Sequence, residues 1–125
     1  MHESHRAEDI TERAFIFACR ILRLCDGLLK QGGVAAVVGR QLCKAGTSLG
    51  ANLEEAKGAQ SKPDFITKNC IALKEGRESL YWLRLLVATM TPLPADAPVL
   101  RKEANELVAI LTSIVKKLRS RTTTD

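Results

Sequence analysis

Twelve residues, Leu73-Lys74-Glu75-Gly76-Arg77-Glu78-Ser79-Leu80-Tyr81-Trp82-Leu83-Arg84, set five charged groups among apolar ones. Glu75 and Glu78 are three apart and share a face if the stretch is helical, a spacing reminiscent of the carboxylates in di-iron bundles. Those sites also take a Glu-x-x-His unit from each of two helices. The only histidines here, His2 and His5, stand at the extreme N-terminus. No metal site is expected. For the same reason no serine or cysteine has an imidazole base, which excludes triad hydrolysis. Hydrolysis by paired carboxylates would need a cleft that a tight helical bundle seldom offers. The chain therefore reads as non-enzymatic and free of cofactors, with Glu75, Arg77 and Glu78 left for structural pairing.

A second stretch, Lys44-Ala-Gly-Thr-Ser-Leu-Gly-Ala-Asn-Leu-Glu-Glu-Ala-Lys-Gly58, has the glycines and hydroxyls of a phosphate loop. A P-loop needs a lysine directly after its last glycine and a strand before its first, so that successive N–H groups cradle phosphate. Ala51-Asn52-Leu53 follows Gly50, and no strand pattern precedes. Leu42, Leu49, Leu53 and Ala56 instead carry the helical period straight through. Gly46 and Gly50 lie four apart on one face, where absent side chains let a neighbouring helix come close. Thr47, Ser48 and Asn52 can bond to backbone or across that contact.

The elements that position these groups are four helices. The first is predicted over about 9–31 on the stripe Ile10, Ala14, Phe17, Ile21, Leu24 and Leu28, ended by Gly32-Gly33. The second, about 34–57, follows Val34, Val38, Leu42, Ala45, Leu49, Leu53 and Ala56. Ser61 caps the third and Pro63 suits its first turn, and the stripe then runs through Ile66, Cys70, Leu73, Leu80, Leu83 and Val87. Thr91-Pro-Leu-Pro-Ala-Asp-Ala-Pro98 must be a connection. The fourth, with Asp96 as its expected cap, carries Leu100, Ala104, Leu107, Leu111, Ile114 and Leu118. Short links join the four most simply as an all-α, up-down-up-down four-helix bundle, one domain over 1–125, with frayed tails over 1–8 and 120–125. Antiparallel pairing of the second and third helices about their short link sets Lys44 beside Glu75 and Glu78, an expected polar network that also takes in Asn52 and Glu55.

Apolar residues make up 46% of the 125, enough for a core without staples, and the four cysteines show no C-x-x-C pair. They read as reduced core thiols. No apolar run is long enough to cross a bilayer, and charge occupies the place of a signal peptide's apolar segment, so a cytoplasmic location is expected. Several stripes are too wide for a lone bundle. Phe15 and Ile16 stand off the first stripe, and Tyr81, Trp82, Leu85 and Leu86 wrap most of the third helix. These are the expected surfaces of a homo-oligomer. Net charge is +5. Arg6, Arg13 and Arg20, seven apart, share a face of the first helix. With Lys116, Lys117, Arg119 and Arg121 they form an expected basic pole for nucleic-acid backbones.

Between Thr47 and Leu86, Ser48, Asn52, Glu55, Ser61, Asp64, Phe65, Lys74, Glu75, Arg77, Glu78, Tyr81 and Trp82 fall in a recognisable order. This third of the chain resembles the bacterial four-helix-bundle proteins of the 23S ribosomal RNA intervening-sequence family. Leu49 and Leu53 replace isoleucines of that pattern, and Gly76 a commoner alanine. The resemblance implies a homopentameric ring. It also implies association with RNA or DNA and, through a more distant branch, with a reverse transcriptase as protein partner. It supplies no catalytic residue. Two functions stay open at this point: an accessory factor that binds nucleic-acid backbones, and a protein–protein scaffold that binds none.

Overall fold

The computed structural model describes the backbone of residues 2–124 and the side chains of 10–121. Four helices account for nearly all of it: α1 (His2–Gln31), α2 (Gly33–Lys57), α3 (Lys62–Thr89) and α4 (Asp96–Thr124). No strand occurs among the described residues. Each helix packs on the next in the chain, and α4 returns to α1. This is the up-and-down bundle that short links favour. The expected N-terminal tail and most of the C-terminal one lie outside the described side chains, as does Arg6.

Gly32 alone links α1 to α2, and Gly32 and Gly33 take φ of 73° and 58°. That left-handed backbone is open to glycine at little cost, so the chain reverses in a single residue. At the next link the Ser61 side chain accepts from the Asp64 N–H at 3.1 Å, with Pro63 in the first turn. Asp96 is the first helical residue of α4 rather than its cap; its carboxylate sits at the positive helix end and accepts from Arg20 Nη2 at 3.4 Å.

The α1 stripe is buried throughout, as are Leu42, Ala45, Leu49, Leu53 and Ala56 of α2 and Leu100, Ala104, Leu107 and Leu111 of α4. Val34 departs from expectation: it is 81% exposed, because α2 is only beginning as it leaves the reversal. On α3 the core face is narrower and smaller than the apolar pattern suggests. Asn69, Ala72, Leu73, Gly76, Ser79, Leu83 and Leu86 are buried there, while Ile66, Cys70, Leu80 and Val87 flank them. Polar residues enter this face because each satisfies itself on its own helix. Asn69 Nδ2 donates to the Phe65 carbonyl at 2.9 Å and Ser79 Oγ to that of Glu75 at 2.8 Å.

The glycines of α2 do bring α1 close. A Cβ on Gly46 would lie 2.8 Å from Ile21 Cγ2, and one on Gly39 3.0 Å from Leu28 Cβ. At Gly50 the nearest atom is the Ala14 carbonyl oxygen at 3.4 Å. Thr47 Oγ1 donates to the Cys43 carbonyl and Asn52 Nδ2 to that of Ser48, both at 2.8 Å. The hydroxyls and amide are thus spent within α2.

Candidate functional site

The flank where α1 meets α2 is apolar. Phe15, Leu22 and Leu29, seven apart, line the α1 side, and all three are exposed, Phe15 at 60%. Beside Phe15 lies a groove of about 170 Å³ walled by Thr11, Ala18, Thr47, Ala51 and Glu54, with Gly50 contributing no side chain to it. Glycine thinning thus brings two helices together and leaves a hollow outside their contact. Ile16 and Tyr81 of the expected oligomer surface are exposed as well, while Trp82 and Leu85 are half-buried. Leu86 is a correction: at 3% exposure it belongs to the core, on the same face as Ser79 and Leu83.

Among the described residues the expected basic pole does not gather. Arg13 Nε donates to Glu103 Oε2 at 3.1 Å, its Nη2 reaches both Glu103 and Glu106, and Arg20 pairs with Asp96. The arginine face of α1 is therefore turned into the α1–α4 seam, where acids of α4 neutralise it. Lys116 lies thirteen residues beyond Glu103, roughly 20 Å along the helix. Lys116, Lys117, Arg119 and Arg121 are exposed at that far end, where Arg119 Nη2 approaches Cys70 Sγ at 3.5 Å.

The expected polar network is also differently wired. Glu55 pairs with Lys68 at 3.8 Å, and a Cβ on Gly76 would lie 3.2 Å from Leu49 Cδ1. Extending that register brings Lys44 level with residues 79–81, a turn or more from Glu75 and within a turn of Glu78. Lys44 is exposed and has no ion pair with Glu75 or Glu78 among the described residues. Glu78 instead accepts from Trp82 Nε1 at 3.4 Å, and Arg77 points outward.

A group that sequence reasoning did not assemble lies on the α3–α4 flank, opposite the apolar one. Cys70, Arg77 and Arg84 are spaced by seven, so contact between Cys70 and Arg119 places all three along α4. Arg101 and Arg119 are five full turns apart on α4, hence on its α3 side. Val108, seven after Arg101, lies 3.3 Å from a Cβ built on Gly76. Lys74, Arg77, Tyr81, Arg84 and Arg101 are all exposed. Among the described residues none of these four cations has an ion-pair partner. All but one of the acids of the same helices that pair or pack with a neighbour face elsewhere. Glu103, Glu106 and Asp96 serve the α1 seam; Glu75, seven after Lys68, lies toward α2; Glu78 alone borders Lys74, while also accepting from Trp82. The available signal was the seven-residue spacing of Arg77 and Arg84 beside an exposed tyrosine.

Other features are chemically quiet. All four cysteines are free thiols. Burial, with a smaller contribution from nearby Cys43, pushes the Cys25 thiol up to about 12, far from a reactive thiolate. An open hollow of about 660 Å³ at the α2–α3 turn is lined by Glu54, Glu55, Gln60, Ser61, Asp64 and Lys68. No group of three or more metal-ligating side chains occurs among the described residues, and none of their helices is long and apolar enough to cross a membrane.

These features can be set beside known proteins. No curated protein matches the chain. Among solved structures, it is similar to a protein of unknown function from the S23 ribosomal protein family of Bacteroides thetaiotaomicron. The two share 35% identity over 88% of this chain and 97% of the other, with a TM-score of 0.77. The model of the family described as 23S rRNA-intervening sequence protein matches residues 6–113. A match over most of the chain, together with that structural likeness, places it: the chain belongs to the 23S rRNA-intervening sequence protein family.

Proposed function

We propose that this chain is a non-enzymatic, cytoplasmic helical module that self-associates into a homopentameric ring and acts as an accessory factor on RNA or DNA. Its protein partner would be a nucleic-acid enzyme such as a reverse transcriptase. The observation that carries self-association is the apolar α1–α2 flank, where Phe15, Leu22 and Leu29 stand exposed beside a hollow. Contiguous apolar surface of this kind marks association. A ring requires a patch and a different complement on each subunit; a projecting Phe15 ring and an adjacent groove offer both shapes. Net charge of +5 and the family's ribosomal RNA context support the nucleic-acid part. The buried, protonated Cys25 and the confinement of histidine to positions 2 and 5 support the absence of catalysis.

Light scattering with and without a mixed nucleic-acid pool tests both parts. The expected mass is five times the 13.7 kDa chain, increasing when nucleic acid is added. Phe15→Glu should lower it. A folded protein of single-chain mass overturns self-association. A pentamer that takes up no nucleic acid even at low salt leaves the protein–protein scaffold, the reading that the apolar flank favours by itself.

A further inference from the structure

We infer that the α3–α4 flank, through Lys74, Arg77, Arg84 and Arg101 around Tyr81, is a surface that grips the backbone of single-stranded nucleic acid. This rests on the nucleic-acid reading above and moves the contact away from the C-terminal run. The argument begins with charge. Among the described residues no acid is paired with these four cations, and of the acids on α3 and α4 only Glu78 borders them. Four cations against the one bordering carboxylate, Glu78, leave a net positive charge, and a bound polyanion relieves their mutual repulsion while releasing its own counterions.

Geometry gives the class of partner. Arg77 and Arg84 are seven residues apart, about 10 Å along α3. That separation lets the two guanidinium groups hold different phosphates of one strand. Arg101 faces them across the α3–α4 seam at the level of Arg84, so cations line both sides of a shallow track. Guanidinium groups suit phosphate because their planar fork binds two oxygens at once. Tyr81 is 52% exposed between Arg77 and Arg84 on the same face, its ring edge-on to Trp82 with centroids 5.3 Å apart. An exposed ring between phosphate-binding cations is the arrangement on which unpaired bases stack, and it serves every base alike. A purely acidic polypeptide would use the cations and leave the ring idle.

Fluorescence anisotropy with labelled 20-nucleotide RNA and DNA strands of mixed sequence, titrated across salt concentrations, tests the proposal on the full chain. Four phosphate contacts give a slope of log K against log salt of about −2.8 for a single strand. Arg77→Ala with Arg84→Ala should weaken binding tenfold or more and reduce the slope by about 1.4, because two contacts are lost. Replacement of both by lysine should retain most of the affinity, and Tyr81→Ala should weaken binding with the slope unchanged. These side chains are exposed, and helical circular dichroism checks that each variant folds. If the double-alanine variant binds as the wild type does, or polyglutamate competes as well as unlabelled strand, the assignment falls. If Lys116→Ala with Lys117→Ala alone abolishes binding, the flank is refuted while the accessory reading stands. A wild-type chain with no affinity at low salt refutes both.

Discussion

Gly46 and Gly50 lie four residues apart on one face of α2, yet replacing each by alanine should have opposite effects. In a helix interior alanine is better than glycine by about 1 kcal/mol. At Gly50 the new methyl meets Ala14 alone, its carbonyl oxygen at 3.4 Å and its carbonyl carbon and Cβ at 3.6 Å, ordinary contacts, so Gly50→Ala should stabilise by roughly 0.5–1 kcal/mol. At Gly46 it meets Ile21 Cγ2, Cγ1 and Cβ at 2.8, 3.0 and 3.3 Å. Ile21 is fully buried and β-branched, so it has no rotamer into which to retreat. Nor can α1 tilt away freely, because Leu28 is similarly tight against Gly39. Overpacking of this kind costs about 1–3 kcal/mol, which offsets or exceeds the propensity gain. The two variants should therefore differ by about 1–3 kcal/mol, measured by urea unfolding followed at 222 nm and at one protein concentration. A double-mutant cycle isolates the cause. Ile21→Ala removes the two nearest atoms and should cost less in the Gly46→Ala background than alone; Ile21→Val keeps all three and should give no relief. Equal stabilities for Gly46→Ala and Gly50→Ala would refute the close-approach argument.

Three further outcomes follow from the same geometry. The Cys25 thiol is raised from 9.0 to about 12 by burial, so below pH 9 it is protonated in both states and its preference for the fold is fully present. As pH rises from 9 toward 12 the unfolded chain ionises first and stability falls; Cys25→Ala should flatten that loss by up to about 1.4 kcal/mol per pH unit. Glu103→Gln, which weakens the Arg13 pair closing the α1–α4 seam, should cost about 1 kcal/mol in urea titrations, less at high salt. Ser61→Ala should cost about 1 kcal/mol by removing the acceptor for the Asp64 N–H, and Ser61→Asp should restore it in thermal melts.

Helix positions were legible because glycine pairs, a Ser-x-Pro start and a triple-proline link punctuate a strong apolar period. Close approach of a neighbour to α2 was legible from Gly46 and Gly50, but that the neighbour is α1 was not. The arginine face of α1 was visible as a heptad, but its neighbour was not. Whether Arg13 meets solvent or Glu103 depends on how α1 is rotated against a helix ninety residues away. Lys44 was misplaced because antiparallel pairing gives the level of a residue only to within a turn or so, which suffices to break an ion pair. The α3 core was obscured by its own composition: Asn69, Gly76 and Ser79 are small enough to bury and make their bonds locally, so the apolar pattern pointed to their flanks. The basic α3–α4 flank draws on two helices, and only the Cys70–Arg119 contact reveals that their cations share a side.

The order of the seams has a kinetic consequence. Three of the four join helices consecutive in the chain, and the first does so through a single residue, Gly32. A chain wired in this way can zip from hairpin to hairpin, each step closing a short loop before the next begins, which is the wiring of rapid folders. Only the docking of α4 on α1 joins distant segments, and Arg13 and Arg20 pair across that seam. The last surface to close would then be the one whose rim is stitched by charge.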